Sequence, residues 1–169
     1  MDKKAKIVLI ASLAAIAITC GLLAIPQFIV PNDYPTLGSI NGYRFFFYWV
    51  DNVYFEKTKM VGPSGLGIAS IVLMVLAVAS YIAAFKSSAF LMLGGLLNVA
   101  TSVLFFAMEA SKKHVYGNRY SFVNVGWPAY VIGGLLVLTG LASIYVAFKM
   151  MQSERKDLGS KKSYSYLKK

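Results

Sequence analysis

The sequence predicts an all-α membrane protein: four transmembrane helices in an antiparallel bundle, carrying a small extracellular antiparallel β-sheet. Three observations predict it. Four apolar runs occupy residues 7–30, 66–85, 89–110 and 128–148, each near the roughly 20 residues that a helix needs to cross a hydrocarbon core. None contains Lys, Arg or Asp, and the only acid is Glu109, at the end of the third. Hydrophobic residues make up 57% of the 169, with a mean hydropathy of +0.61. A water-soluble domain of this size has too little interior to hide them, whereas lipid covers them. The runs leave no room for a separate soluble domain, so the chain divides into a transmembrane domain, residues 1–148, and a basic cytosolic tail, residues 149–169.

The first run follows Lys3, Lys4 and Lys6. Such a start looks like a signal peptide, and Ile18-Thr19-Cys20 looks like a lipoprotein cleavage site. Thr19 is a poor residue just before such a cysteine, and the run continues to Val30, so an uncleaved helix is the expectation. Pro26 and Pro31 bracket residues 27–30 and suggest a loosened last turn. Ala14, Ala17 and Gly21 offer a groove to a neighbouring helix.

The first outer loop, residues 31–65, opens with the turn residues Pro31, Asn32 and Asp33. Residues 43–50 and 53–58 are rich in aromatic and β-branched types and are joined by Asp51-Asn52, the pattern of a β-hairpin. The unbroken aromatics Phe45–Trp49 also suit a belt at the membrane interface. Ser64 is placed to cap the second helix. Helices two and three are linked only by Lys86-Ser87-Ser88, which forces them to be adjacent and antiparallel. The third carries Gly94, Gly95 and Asn98.

In the second outer loop, residues 111–127, the stretch Arg119–Val125 sets Tyr120, Phe122 and Asn124 in alternation with Ser121, Val123 and Val125, a third strand expected to pair with the hairpin. Helix four starts at Pro128, a residue suited to the first turn. Gly133, Gly134 and Gly140 permit close helix approach. The tail is polar and basic, and disorder is expected at its end.

Charge sets the orientation. Of the 17 Lys and Arg, 11 fall in the N-terminus, the short middle link and the tail, against six in the two longer loops. The positive-inside rule then puts both termini in the cytoplasm, with the plasma membrane as the expected location. The basic excess calls for no nucleic acid: Lys161, Lys162, Lys168 and Lys169 suit anionic lipid head groups. A phosphorylatable partner-binding tail built on Ser163–Tyr166 is the alternative. The single cysteine, Cys20, allows no intramolecular disulfide.

An enzyme is not expected, nor a cofactor or metal. The acids of the outer segments are Asp33, Asp51, Glu56 and Glu109, and the one histidine is His114. Glu109 and His114 are five apart, off one helix face, and no second histidine completes a metal site. Transport finds little support, because carriers place ionisable groups near the midplane. The polar residues inside the spans are Ser12, Thr19, Ser70, Ser80, Asn98, Thr101, Ser102, Thr139 and Ser143. Asn98 is the most notable of them, with an interhelical hydrogen bond favoured over a substrate contact. The outer aromatics and arginines are the residue types of binding hot spots. Arg44, Phe46, Trp49, Tyr54, Phe55, Arg119, Tyr120 and Phe122 are therefore the candidate partner-binding residues. Gly94, Gly95, Asn98, Gly133 and Gly134 are the candidate helix-packing residues.

The stretch Val125–Leu135, with Gly126-Trp127-Pro128 leading into helix four, resembles the corresponding segment of the claudin and peripheral-myelin-protein superfamily. The layout of a long first outer loop, a short inner link and a smaller second outer loop is similar too. The resemblance implies a left-handed four-helix bundle topped by a small sheet, and a role in adhesion or assembly. The first loop departs from the claudin pattern: it carries Phe47-Tyr48-Trp49 and no cysteine pair, so barrier and pore residues are not carried over. Three functional expectations follow. The first is a non-enzymatic tetraspan that self-associates or binds another membrane protein through its outer loops. The second is an accessory subunit of a larger transport or secretion complex. The third is a small carrier or lipid-binding protein centred on Asn98.

Overall fold

A computed structural model of the chain describes residues 3–29, 40–41, 49–51, 59–61, 65–110 and 124–166. Four helices dominate them: α1 (Lys3–Leu22), α2 (Gly65–Ala83), α3 (Ser88–Phe106) and α4 (Trp127–Tyr166). All four are long and apolar enough to cross a membrane. Five short strands accompany them: β1 (Pro26–Ile29), β2 (Ile40–Asn41), β3 (Trp49–Asp51), β4 (Lys59–Val61) and β5 (Asn124–Val125).

Local chemistry sets the helix ends. Ser87 adopts an extended conformation, and its hydroxyl accepts a 3.3 Å bond from the Ala89 amide, capping α3. With only residues 84–87 between them, α2 and α3 fold back as an antiparallel hairpin. At the other end, α1 stops at Leu22, earlier than the apolar run implies. Its backbone tightens through Ala24 N–H to Gly21 O (3.1 Å) and Ile25 N–H to Leu22 O (3.0 Å), the three-residue spacing that closes a helix end. Pro26 has no amide to continue it. Residues 26–29 are a strand, not a loosened helical turn.

The strands correct the expected sheet. The second-loop strand does not join the first-loop hairpin. β5 instead pairs antiparallel with β1, Phe28 opposite Val125 and Ile29 opposite Asn124. β2 lies on the other side of β1. β3 and β4 form a separate two-stranded ladder, with Trp49 opposite Val61. Among the described residues the three ladders fall into a three-stranded set, β2-β1-β5, and the separate β3-β4 pair, and not into one sheet. The reason is chain geometry: β1 and β5 immediately follow α1 and precede α4, so the contact between those helices brings them together.

The tail also departs from expectation. α4 runs unbroken for 40 residues, about 60 Å at 1.5 Å per residue. The roughly 30 Å hydrocarbon core uses only half of that. Once the spanning segment has nucleated the helix, each added residue costs little, and Met150–Leu158 is made almost entirely of good helix formers.

α4 is the hub, packing extensively on α3 and also on α1, while α2 lies on the far side of α3 and touches α1 only lightly. The core runs the length of the bundle, from Ala5 and Ala147 to Leu23 and Ala129. Only 33–39% of each spanning window is buried. The outward faces carry Ile10, Val75, Ile82, Leu138 and Tyr145, each more than half exposed. Buried positions include Ser12, Thr19, Ser70, Ser80, Asn98, Thr101, Ser102 and Ser143. A bundle with large aliphatic groups outside and hydroxyls inside is stable only where lipid is the solvent. The fold is that of a multi-pass helical membrane protein.

Candidate functional site

Most of the buried hydroxyls are satisfied locally. Thr19 donates to Ala15 O (2.9 Å), Ser70 to Leu66 O (2.8 Å), Ser80 to Leu76 O (2.8 Å) and Thr101 to Leu97 O (2.8 Å). These bonds hide a polar group inside its own helix turn.

One cluster does more. Ser12 of α1, Tyr81 of α2, Asn98 of α3 and Ser143 of α4 are each fully buried and meet in the bundle interior. Ser143 Oγ is 3.0 Å from Ser12 Oγ and 3.3 Å from the Tyr81 hydroxyl. The donors follow from counting protons. Ser143 has one, and it goes to Thr139 O at 2.8 Å. Its two lone pairs therefore accept from Ser12 and from Tyr81. Asn98 Nδ2 reaches Thr139 Oγ1 at 3.5 Å, a long bond. Thr139 in turn donates to Leu135 O. One node thus ties all four helices. Asn98 Oδ1 is buried with no hydrogen-bond partner.

Glycine makes room for the node. A Cβ on Gly94 would sit 2.8 Å from the Tyr81 ring, so Gly94 is the floor on which that ring lies. Gly95 and Gly140 face each other across α3 and α4. A Cβ on Gly95 would come within 2.7 Å of Gly140 O, and one on Gly140 within 2.8 Å of Gly95 O. Gly133 receives the Phe106 ring, 2.8 Å from where its Cβ would be. Gly134 differs: nothing lies within 4 Å of its added Cβ.

A second polar knot closes the opposite end. Gln27 is fully buried, and its Nε2 donates to Leu22 O (3.0 Å) and Ile25 O (2.9 Å), satisfying carbonyls that the end of α1 leaves open. Gln27 O accepts from Gly126 N–H at 2.7 Å. A Cβ on Gly126 would strike Pro26 O at 2.7 Å. The glycine before Trp127 thus lets β1 pass directly over the start of α4.

Of the predicted partner-binding residues, Trp49 belongs to β3. Arg44, Phe46, Tyr54, Phe55, Arg119, Tyr120 and Phe122 lie outside the described residues. Lys161 and Lys162 fall within the helical continuation of α4, and Lys168 and Lys169 lie outside the described residues. Glu109 is exposed. The sequence shows Ser12, Asn98, Thr139 and Ser143 as polar residues inside the spans, but Tyr81 and the meeting of these side chains are not among its expectations. The signal for that meeting is a serine or tyrosine in three spans at matching distance from the basic end: Ser12 six residues from Lys6, Tyr81 five from Lys86, Ser143 six from Lys149.

Together the outward aliphatic faces and the interior node define a closed four-helix membrane bundle. No protein-family model matches this chain, and no curated protein shows significant similarity to it.

Proposed function

We propose that the protein is a non-enzymatic tetraspan of the plasma membrane, with both termini cytoplasmic, that assembles with copies of itself through its two outer loops. The observation that supports this reading is the use of the interior. The polar cluster that all four helices share, among the described residues, is spent on joining them: Ser12, Tyr81 and Asn98 point at Ser143 and Thr139. A membrane domain built as a scaffold leaves recognition to the loops. Those loops carry the aromatic and arginine residues favoured at binding hot spots. Similarity of layout to the claudin and peripheral-myelin-protein superfamily points the same way.

The test is the mass and composition of the particle extracted from native membranes in a mild detergent. A homogeneous particle of several copies, reduced to one copy by Phe46→Glu and Trp49→Glu without loss of membrane insertion, is the expected result. Association that survives both substitutions moves the contact face elsewhere.

A second reading, an accessory subunit of a larger membrane complex, has its own observation. Gly134 is open on its side-chain face, and the neighbouring Tyr130, Val131 and Leu138 are exposed. In this case a different, larger protein co-purifies, and Gly134→Leu releases it.

A further inference from the structure

Depth along the bundle can be measured from the node. Ser12 and Ser143 touch, so they lie at one level. Their helices run antiparallel, so six residues toward the start of α1 and six toward the end of α4 travel the same way. Lys6 and Lys149 therefore share a level, each about 9 Å from the node. Tyr81 also touches Ser143, and α2 ends two residues past Tyr81, at Ala83, with Lys86 in the turn that follows in the same direction. The first cation after the apolar span thus comes at nearly one depth on α1, at the α2–α3 turn and on α4.

All three cations are exposed, as are Lys3, Lys4, Arg155 and Lys156 at the same end. Lys149 Nζ lies 4.8 Å from the centroid of the Tyr145 ring, an aromatic that is itself exposed; such a pair belongs at a membrane–water boundary. The acid described at this end, Glu154, is exposed, and its Oε2 accepts a long 3.5 Å bond from Ser88 Oγ at the start of α3. That contact links the continuation of α4, which carries Arg155 and Lys156, to the start of α3, two residues past Lys86. Asp2 and Asp157 are the other acids of these segments in sequence.

We propose that Lys6, Lys86 and Lys149, extended by Arg155 and Lys156, form a collar that binds the phosphate head groups of anionic phospholipids in the adjacent leaflet. Three elements at one depth match a lipid surface, which presents its phosphates in one plane. A soluble anion has no such requirement. The collar places lipid contact at the start of the tail rather than at its end. On a straight α4, Lys161 and Lys162 lie about 18–20 Å past Lys149, about twice as far from that plane as Arg155 and Lys156. The proposal is independent of any role for the outer loops.

The test uses the full chain in a neutral detergent, offered equal amounts of phosphatidylglycerol and phosphatidylcholine, with bound lipid counted by native mass spectrometry. The expected result is a preference for phosphatidylglycerol of tenfold or more, at about fivefold per cation. The triple variant Lys6→Gln, Lys86→Gln, Lys149→Gln removes most of that preference, and Glu154→Gln increases it. Should the triple variant not fold, Arg155→Gln with Lys156→Gln, beyond the apolar span, still lowers the preference severalfold. Equal retention of the two lipids overturns the proposal, as does a preference unchanged in these variants. Displacement of phosphatidylglycerol by glycerol 3-phosphate at 100-fold excess overturns it in favour of a soluble-anion site.

Discussion

The two faces that α4 presents to its neighbours are built by opposite means. Against α3 it uses glycine, so that Gly95 and Gly140 bring backbone to backbone with no room for a single added carbon. Against α1 it uses a hydroxyl, with Ser143 accepting from Ser12 and, across the bundle, from Tyr81. In lipid there is no hydrophobic force to press helices together, because the solvent is as apolar as the side chains. Close van der Waals approach and hydrogen bonding are the attractions left. The comparison teaches that they fail differently. A backbone contact is intolerant of volume, while a hydroxyl contact loses only the bond.

Substitutions separate the two. The largest effect is expected for Gly95→Leu. Its side chain must displace the Gly140 carbonyl or the Ile144 side chain, at a cost of about 3 kcal/mol or more. Fluorescence-detected gel filtration should then show loss of the folded peak, and a normal peak would mean that α3 and α4 are not this close. Next comes Ser143→Ala, which strips two hydroxyls of their shared acceptor and should cost about 1–2 kcal/mol. Chemical unfolding in detergent measures it. Ser12→Ala removes a single donor and should cost about 0.6 kcal/mol, the average for such bonds in membranes. If Ser12→Ala costs as much as Ser143→Ala, the assignment of Ser143 as the common acceptor is wrong. The smallest effect is expected at Gly134→Ala, within about 0.5 kcal/mol, because nothing meets its added Cβ. A large destabilisation there would place an unseen contact on the outward face of α4.

The four spans were legible in the sequence because twenty apolar residues without a charge leave a segment few other options. The antiparallel order of α2 and α3 was legible from the three-residue link. The ends were not. α1 stops at Leu22 because Pro26 and the Gln27 side chain complete it from outside the helix, a tertiary event that hydropathy does not record. β5, Asn124–Val125, falls at the end of the alternating stretch that the sequence shows, but its partner was decided by which helices touch, which no alternation records. The continuation of α4 was hidden by its polar composition, since a charged segment looks disordered until a neighbouring span has nucleated it. Of the node, Asn98 stood out because an amide in a span is rare. Ser12 and Ser143 were legible as polar residues inside spans, but not their meeting, because a serine in a membrane helix so often bonds its own turn, as Ser70 and Ser80 do. Tyr81 was hidden among the apolar and aromatic residues of its span.

The length of α4 makes it a lever. Its tightest point is the contact of Gly140 with Gly95, and the two arms on either side are unequal. From Gly140 to Trp127 the arm is about 20 Å, and from Gly140 to Tyr166 about 39 Å. A tilt of about 10° around that fulcrum would shift the loop end by roughly 3 Å and the far end by roughly 7 Å. A tilt of that kind at the β1–β5 junction would be doubled at the far end of α4, and the Glu154–Ser88 contact is the one described that would oppose it.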